Sequence, residues 1–479
     1  MFKFYRFANR LTRARLMLLG LMLAATAALA SPPSFFDLRD FDWITPAKDQ
    51  GQLGTCWAFA NTTAFESSLL RQGIVTDPTS SLLDLSIWHL ATHSGFEPDY
   101  TYPYNNWGGT APMTLGYLTR GTGSWDTGPV PAGGGFVFTD NDALNAYPID
   151  AVNNKENLLP YVPPVEQPRA YRLESARYNS FTGTGPASMD LTYRHSVQQQ
   201  VMDHGGVVVD MYMDTNYFDS STNTYLYTGS SRSNHEVVVA GWDDDKIVAG
   251  ADAPGAWFIQ NSWGADWGDD GYFWISYEDT MTASEESVSY VASTMDGYRD
   301  FVLQNQIYHP TRYIGLGEGL EDKAATRLST EADVILNGFG LFSHYQQMLI
   351  ELSIYTGWDN GPIGLLEGFT ITETIEHIGY VSVYLPELLY LDANDEIYVV
   401  VNFGDEHQEP VALDMTSFAD PDEHLSWIWN GADWVDLSEE NSVFFFKGMV
   451  VIPEPGTILF VIILGGLAIV GRRFLKTRP

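Results

Sequence analysis

Between residues 300 and 450, apolar and polar side chains alternate with a period of two. Ile350, Leu352 and Ile354 fall on one face while Glu351 and Ser353 fall on the other; Val381, Val383 and Leu385 repeat the pattern, as do Ile397, Val399 and Val401. Such runs, split by Asp, Asn and Gly turns, predict an all-β antiparallel sandwich over residues 298–450. Residues 35 to 295 instead mix helical and strand patterns. Trp57, Phe59, Ala60, Ala64, Leu69 and Leu70 predict a buried helix starting at Cys56, whereas Val237 to Ala240 predict an apolar strand opened by His235. Glycines and prolines from Gly121 to Gly135 prevent any regular element there.

The two ends carry unbroken apolar runs with basic flanks. A basic stretch to Arg15, the apolar run Leu16 to Ala27 and the box Ala28-Leu29-Ala30 predict a signal peptide over residues 1–30, cut after Ala30. At the other end, Pro453-Glu454-Pro455 precedes the uncharged run 456–471, with Arg472, Arg473, Lys476 and Arg478 behind it. At about 1.5 Å per residue, that run reaches roughly 24 Å as a helix, short of a typical membrane core of about 30 Å. The basic residues beyond it would stay in the cytoplasm, leaving residues 31–452 outside. This tripartite tail over residues 451–479 resembles a PEP-CTERM sorting signal, which implies an exosortase-type processing enzyme as partner; a plain one-pass anchor is the simpler reading. Either way the body is expected to be exported, to the cell envelope or extracellular matrix.

Charge narrows the partners. The 479 residues hold 25 Lys and Arg against 61 Asp and Glu. Nine of the basic residues lie in the two ends, so residues 31–470 carry 16 basic groups against the 61 acidic ones, a net −45. Such a surface repels phosphate backbones and excludes nucleic-acid binding. Cys56 is the one cysteine, which excludes intrachain disulfides and multi-cysteine metal sites.

The candidate chemistry gathers around that cysteine. Gln50-Gly51-Gln52-Leu53-Gly54-Thr55-Cys56-Trp57 places a thiol at the start of a helix, where the dipole and unpaired N–H groups favour thiolate. His235 is the candidate proton partner. In Gln260-Asn261-Ser262-Trp263-Gly264, Asn261 is the amide that would fix the imidazole tautomer, and Trp263 would shield that bond from water.

These blocks, together with Gly108-Gly109, resemble the papain-like cysteine peptidases, in the same order along the chain and over roughly half of it. The resemblance implies a two-lobed α+β catalytic domain, a helical lobe and a β-barrel lobe, over residues 31–297. It also implies peptide hydrolysis, protein or peptide substrates, and no metal or other cofactor. By position, Cys56 matches the nucleophile, His235 the acid/base, Asn261 the orienting amide and Gln50 the side-chain donor of the oxyanion hole. Gly108 and Gly109 match the glycine pair that binds extended substrate, with Trp263 beside the site. The chain departs from the family pattern at Leu53, where a second cysteine is usual. Cys56 and His235 also lie 179 residues apart, against roughly 130 to 150 expected, which implies insertions around residues 110–180. Phe36-Asp37-Leu38-Arg39 resembles the mature start and follows the expected signal cut almost directly, leaving no room for a pro-domain.

The remaining candidates have ordinary readings. Asp266, Asp269 and Asp270 read as a solvated acidic turn. His89, His93, His195, His204, His309, His344, His377, His407 and His424 read as surface or core residues. The sandwich resembles the lectin-like domain that follows papain-like units in some prokaryotic proteins, so a glycan is a candidate partner, stacking on Trp358, Trp427, Trp429 or Trp434; packing between domains is the alternative use of those rings. Two other functions remain open: a catalytically inactive matrix- or glycan-binding protein, and a transpeptidase using the same thiol.

Overall fold

A computed structural model of the chain describes residues 31–51, 54–83, 85–87, 90–91, 108–119, 130–131, 171–284, 286–294, 299–304, 312–316, 319–330, 333–414, 425–437 and 442–452. The expected signal peptide, the sorting tail, the glycine-rich stretch 121–129 with 132–135, and His89, His93, His309 and His424 lie outside the described residues.

Helix α1 (Cys56–Arg71) begins at the cysteine, as the apolar pattern predicts, and every residue from Trp57 to Leu70 is buried. An isolated amphipathic helix keeps one face wet; α1 keeps none, so its polar side chains must find partners inside the protein. Thr45 and Lys48 reach Glu66 at 2.8 and 2.6 Å, Ser67 donates to the Trp43 carbonyl and accepts from the Gly206 amide, and Ser68 accepts from the Ala292 amide at 3.1 Å. Two shorter helices flank it, α2 (Ala111–Thr119) and α3 (Leu191–His204). Asp190 caps α3 by accepting from the Tyr193 amide at 2.9 Å, and Gly205, at φ +94°, lets the chain turn away at its end.

Six strands face these helices: β1 (Tyr171–Ser180), β2 (Val207–Met211), β3 (His235–Asp243), β4 (Ala256–Gln260), β5 (Tyr272–Ser276) and β6 (Glu286–Thr294). They run antiparallel in the order β1-β6-β2-β3-β4-β5. The segment Phe35–Asp37 pairs with the end of β3, and a side chain at Gly241 would strike the Phe36 carbonyl.

The second half is the expected sandwich. Its outer sheet contains β7 (Asp322–Ser329), β9 (Met348–Trp358), β11 (Glu396–Gly404) and β12 (Ser426–Trp429); facing it are β8 (Val334–Ser343), β10 (Gly379–Leu391) and β13 (Phe446–Ile452). Ile350, Leu352, Ile354, Ile397, Val399 and Val401 are buried against Leu336, Phe339, Leu341 and Phe446, so the period-two reading correctly assigned the inward face. On the opposite face of the outer sheet, Trp358 stacks on Trp427 at 4.2 Å and meets Trp434 edge-on at 5.3 Å, so these rings pack mainly on one another.

The two halves share one sheet. β10 pairs with β1 in the register Gly379↔Arg177, Tyr380↔Ala176 and Val381↔Ser175. Gly379 takes φ +129°, and a Cβ there would run into the Ala176 carbonyl. Tyr178 meets Phe342 edge-on at 5.6 Å, and Ser382 donates to the Glu174 carbonyl at 2.8 Å across the same seam.

His204 and His377 lie beside this seam. Burial, then the Arg177 charge, depresses His204 to about 3 and His377 to about 4. A histidine depressed in the folded state contributes stability above its unfolded value of about 6.5, and that contribution is lost as pH falls through the folded value. Replacing His377 by Asn removes one such group. Urea unfolding midpoints should therefore fall less between pH 7 and pH 4.5 in His377→Asn than in the wild type; equal falls would contradict this account.

Candidate active site

Cys56 opens α1 with Thr55 as its cap residue, and no side chain takes up the cap position. The thiol is partly exposed. The backbone amide of Glu236, at the start of β3 and next to His235, lies near enough to favour the thiolate. Burial pushes the thiol up from its ordinary value, while the amides of Glu236 and Trp57 pull it down. The thiolate expected from helix position alone is thus opposed by burial.

His235 is buried, and its Nε2 lies 2.8 Å from Asn261 Oδ1. The Ser262 amide donates to the same oxygen at 2.9 Å. A backbone N–H can only donate, so the atom it meets must be the amide oxygen, and His235 Nε2 must carry a proton. Nδ1 is then the nitrogen left as base. Burial lowers the His235 pKa and the Asn261 bond raises it. Burial therefore favours a neutral thiol and a neutral imidazole taken singly, and a charged pair is favoured only when both form together.

The Asn261 backbone is itself fixed by its N–H donating to the Gly271 carbonyl at 3.0 Å, with Gly271 at φ +90°. Trp263 lies 5.5 Å from the His235 ring, tilted by 37°, and Trp267 braces it edge-on at 5.1 Å. Residues 48–50 are laced to 262–264: the Gln50 amide donates to the Ser262 carbonyl at 2.8 Å, Asp49 bridges Trp263, and the Gly264 amide donates to the Lys48 carbonyl at 3.0 Å. Ser262 Oγ donates to Gln50 Oε1 at 2.5 Å, which occupies the acceptor end and leaves donation to Nε2. Gly109 lies against Trp57, whose indole a Cβ there would strike, while Gly108 is exposed with open space around it.

The structure thus links His235 to Asn261 and Trp263 and, through Ser262, to Gln50, while Gly109 packs on Trp57, the residue after Cys56. Sequence reasoning missed Ser262, which orients Gln50, and Asn61 and Glu236, which join α1 to β3. The available signal was a polar residue, Asn61, inside an otherwise buried helix. Among the described residues no three His, Cys, Asp or Glu side chains form a metal cluster.

A family model described as papain family cysteine protease matches residues 32–107 and 140–292. Among curated proteins, cathepsin J of Mus musculus is 26% identical over 249 residues, covering 51% of this chain and 60% of its own. Cathepsin K of Gallus gallus is 28% identical over 249 residues, covering 50% and 58%. The chain spans about 60% of the length of these curated relatives. Among solved structures, the clostridial cysteine protease Cwp84 after propeptide cleavage has a TM-score of 0.68 at 19% identity, covering 88% of this chain and 100% of that one. A structure of the cysteine protease and lectin-like domains of Cwp84, a surface layer associated protein of Clostridium difficile, has a TM-score of 0.66 at 18% identity, covering 88% and 91%. Both halves of the fold therefore have a precedent in one chain.

The bond from His235 to Asn261 raises the imidazole pKa, so its loss should let the imidazolium deprotonate at lower pH. In Asn261→Ala the alkaline limb of the kcat/KM profile for peptide hydrolysis should move to lower pH. An unmoved limb would show that the amide does not tune this histidine.

Proposed function

We propose that this chain, whose residues 32–107 and 140–292 match the papain family cysteine protease model, is an exported cysteine endopeptidase acting through Cys56. The observation that carries the reading is the oriented set: a thiol at a helix start, with the amide next to His235 nearby and His235 Nε2 held by Asn261. In the cycle, His235 Nδ1 takes the thiol proton and the sulfur attacks the peptide carbonyl carbon. Gln50 Nε2 and the Cys56 N–H would receive the oxyanion. The imidazolium then gives its proton to the leaving amine, and a thioester remains. Water, deprotonated by His235, hydrolyses the thioester to release the acid and restore the thiol. Gly108, Gly109 and Trp263 line the approach for an extended peptide.

The reading extends to address and architecture. The catalytic domain occupies residues 31–297 and the lectin-like sandwich residues 298–450, with a glycan as candidate ligand. The basic-apolar-small order of residues 1–30 supports export, and the tail 451–479 supports sorting by an exosortase-type enzyme at the cell envelope. Among the described residues no helix is long and apolar enough to cross a membrane; the run 456–471 lies outside them.

Cys56→Ser and His235→Ala should each lower peptide hydrolysis by orders of magnitude with unchanged circular dichroism, since residues acting as a unit fail together. Near wild-type turnover in either variant would sink the assignment. Deleting residues 453–479 should release the protein from the membrane fraction of the native cell, and a deletion variant still bound there would show the tail to be misread.

A further inference from the structure

Glu236 follows the candidate acid/base directly, and its side chain is held from the nucleophile's own helix. Asn61, fully buried, donates through Nδ2 to Glu236 Oε2 at 3.0 Å and to the Trp57 carbonyl at 2.7 Å, while its Oδ1 accepts from the Tyr290 hydroxyl. Both amide hydrogens and the oxygen are thus engaged, so the side chain has one orientation. Its three partners lie on three elements: Trp57 on α1, Glu236 on β3 and Tyr290 on β6.

Two hydrogen bonds of one side chain tie the elements together. The Glu236 carboxylate accepts from Asn61; Asn61 also donates to the carbonyl of Trp57, the residue bonded to Cys56. Together they fix the first turn of α1 relative to the first residues of β3, and so bear on the relation between Cys56 and His235. A misplacement of about 1 Å between reacting groups is worth roughly 100-fold in rate.

Building on the cysteine-peptidase reading above, we propose that Glu236, gripped by Asn61, is a positioning residue for the Cys56–His235 pair. The carboxylate's surroundings suit a held rather than a mobile acid. Asp210 stands directly opposite on β2, and Lys48, already paired with Glu66, lines the same small cavity between α1 and β3. Like charge from Asp210 works against this position of Glu236, and the Asn61 bond opposes that push.

The test compares four variants of the full chain, reading kcat and KM for a peptide and the rate of Cys56 alkylation. Glu236→Ala, at a half-buried position, should fold normally and lose roughly tenfold or more in kcat and in alkylation rate with KM little changed. Glu236→Gln keeps an acceptor oxygen for Asn61 and should stay within about threefold of wild type. Asn61→Asp sets two acids together and should lose at least as much as Glu236→Ala, and adding Glu236→Gln to it should restore most of the loss by reversing donor and acceptor. Should Asn61→Asp fail to fold, the contrast between the two single Glu236 variants decides. Wild-type rates in Glu236→Ala, or equal losses in Glu236→Ala and Glu236→Gln, would overturn the positioning role. A wild-type Cys56 no more reactive than a free thiol would instead overturn the peptidase reading, whatever the Glu236 variants do.

Discussion

The complete burial of α1 is the constraint on which the rest of the structure depends. A helix with no wet face has to satisfy its polar side chains internally, because an unpaired buried group costs about 1 to 3 kcal/mol; on α1, Thr62 Oγ1 is left unpaired. Asn61, Glu66, Ser67 and Ser68 meet that demand by bonding outward to β3, to residues 43–48, to the Gly206 turn and to β6. The bonds that satisfy the helix also set its register against the sheet. Cys56 sits at the start of the helix so fixed, and His235 at the start of a strand so engaged, which makes the chemistry a consequence of how the helix is buried.

The same economy appears at the seam between the halves. β10 completes the edge of β1, so the sandwich is joined to the catalytic domain by ladder hydrogen bonds and packed rings, with Gly379 permitting the close approach. Burial of His204 and His377 beside Arg177 makes this joint sensitive to acid, because protonation there sets positive charges against one another. The aromatic cluster of Trp358, Trp427 and Trp434 lies on the far face of the outer sheet, away from both the seam and the sandwich core.

Much of this was legible in the sequence, for identifiable reasons. Inward faces such as Ile397, Val399 and Val401 follow from a period of two, and the start of α1 from an apolar run beginning at Cys56. The candidate site residues could be nominated because short blocks carry them: Gln50 and Cys56 in one, His235 in a second, Asn261 and Trp263 in a third. What escaped depends on contacts between distant segments. Asn61 reaches Glu236 across 175 positions, and Ser262 reaches Gln50 across 212. No local pattern announces either pair. The shared sheet escaped for the same reason, since the pairing of Gly379 with Arg177 joins residues from separate halves.

The central claim is that Cys56 is a nucleophile made reactive by His235 held on Asn261. Labelling of the full chain by an epoxide inhibitor selective for papain-like thiols, mapped by mass spectrometry, tests it most directly. The account requires stoichiometric modification at Cys56 in the wild type and little or none in His235→Ala under the same conditions. Modification of Cys56 at equal rates in both proteins, or none in a folded wild type, would contradict it.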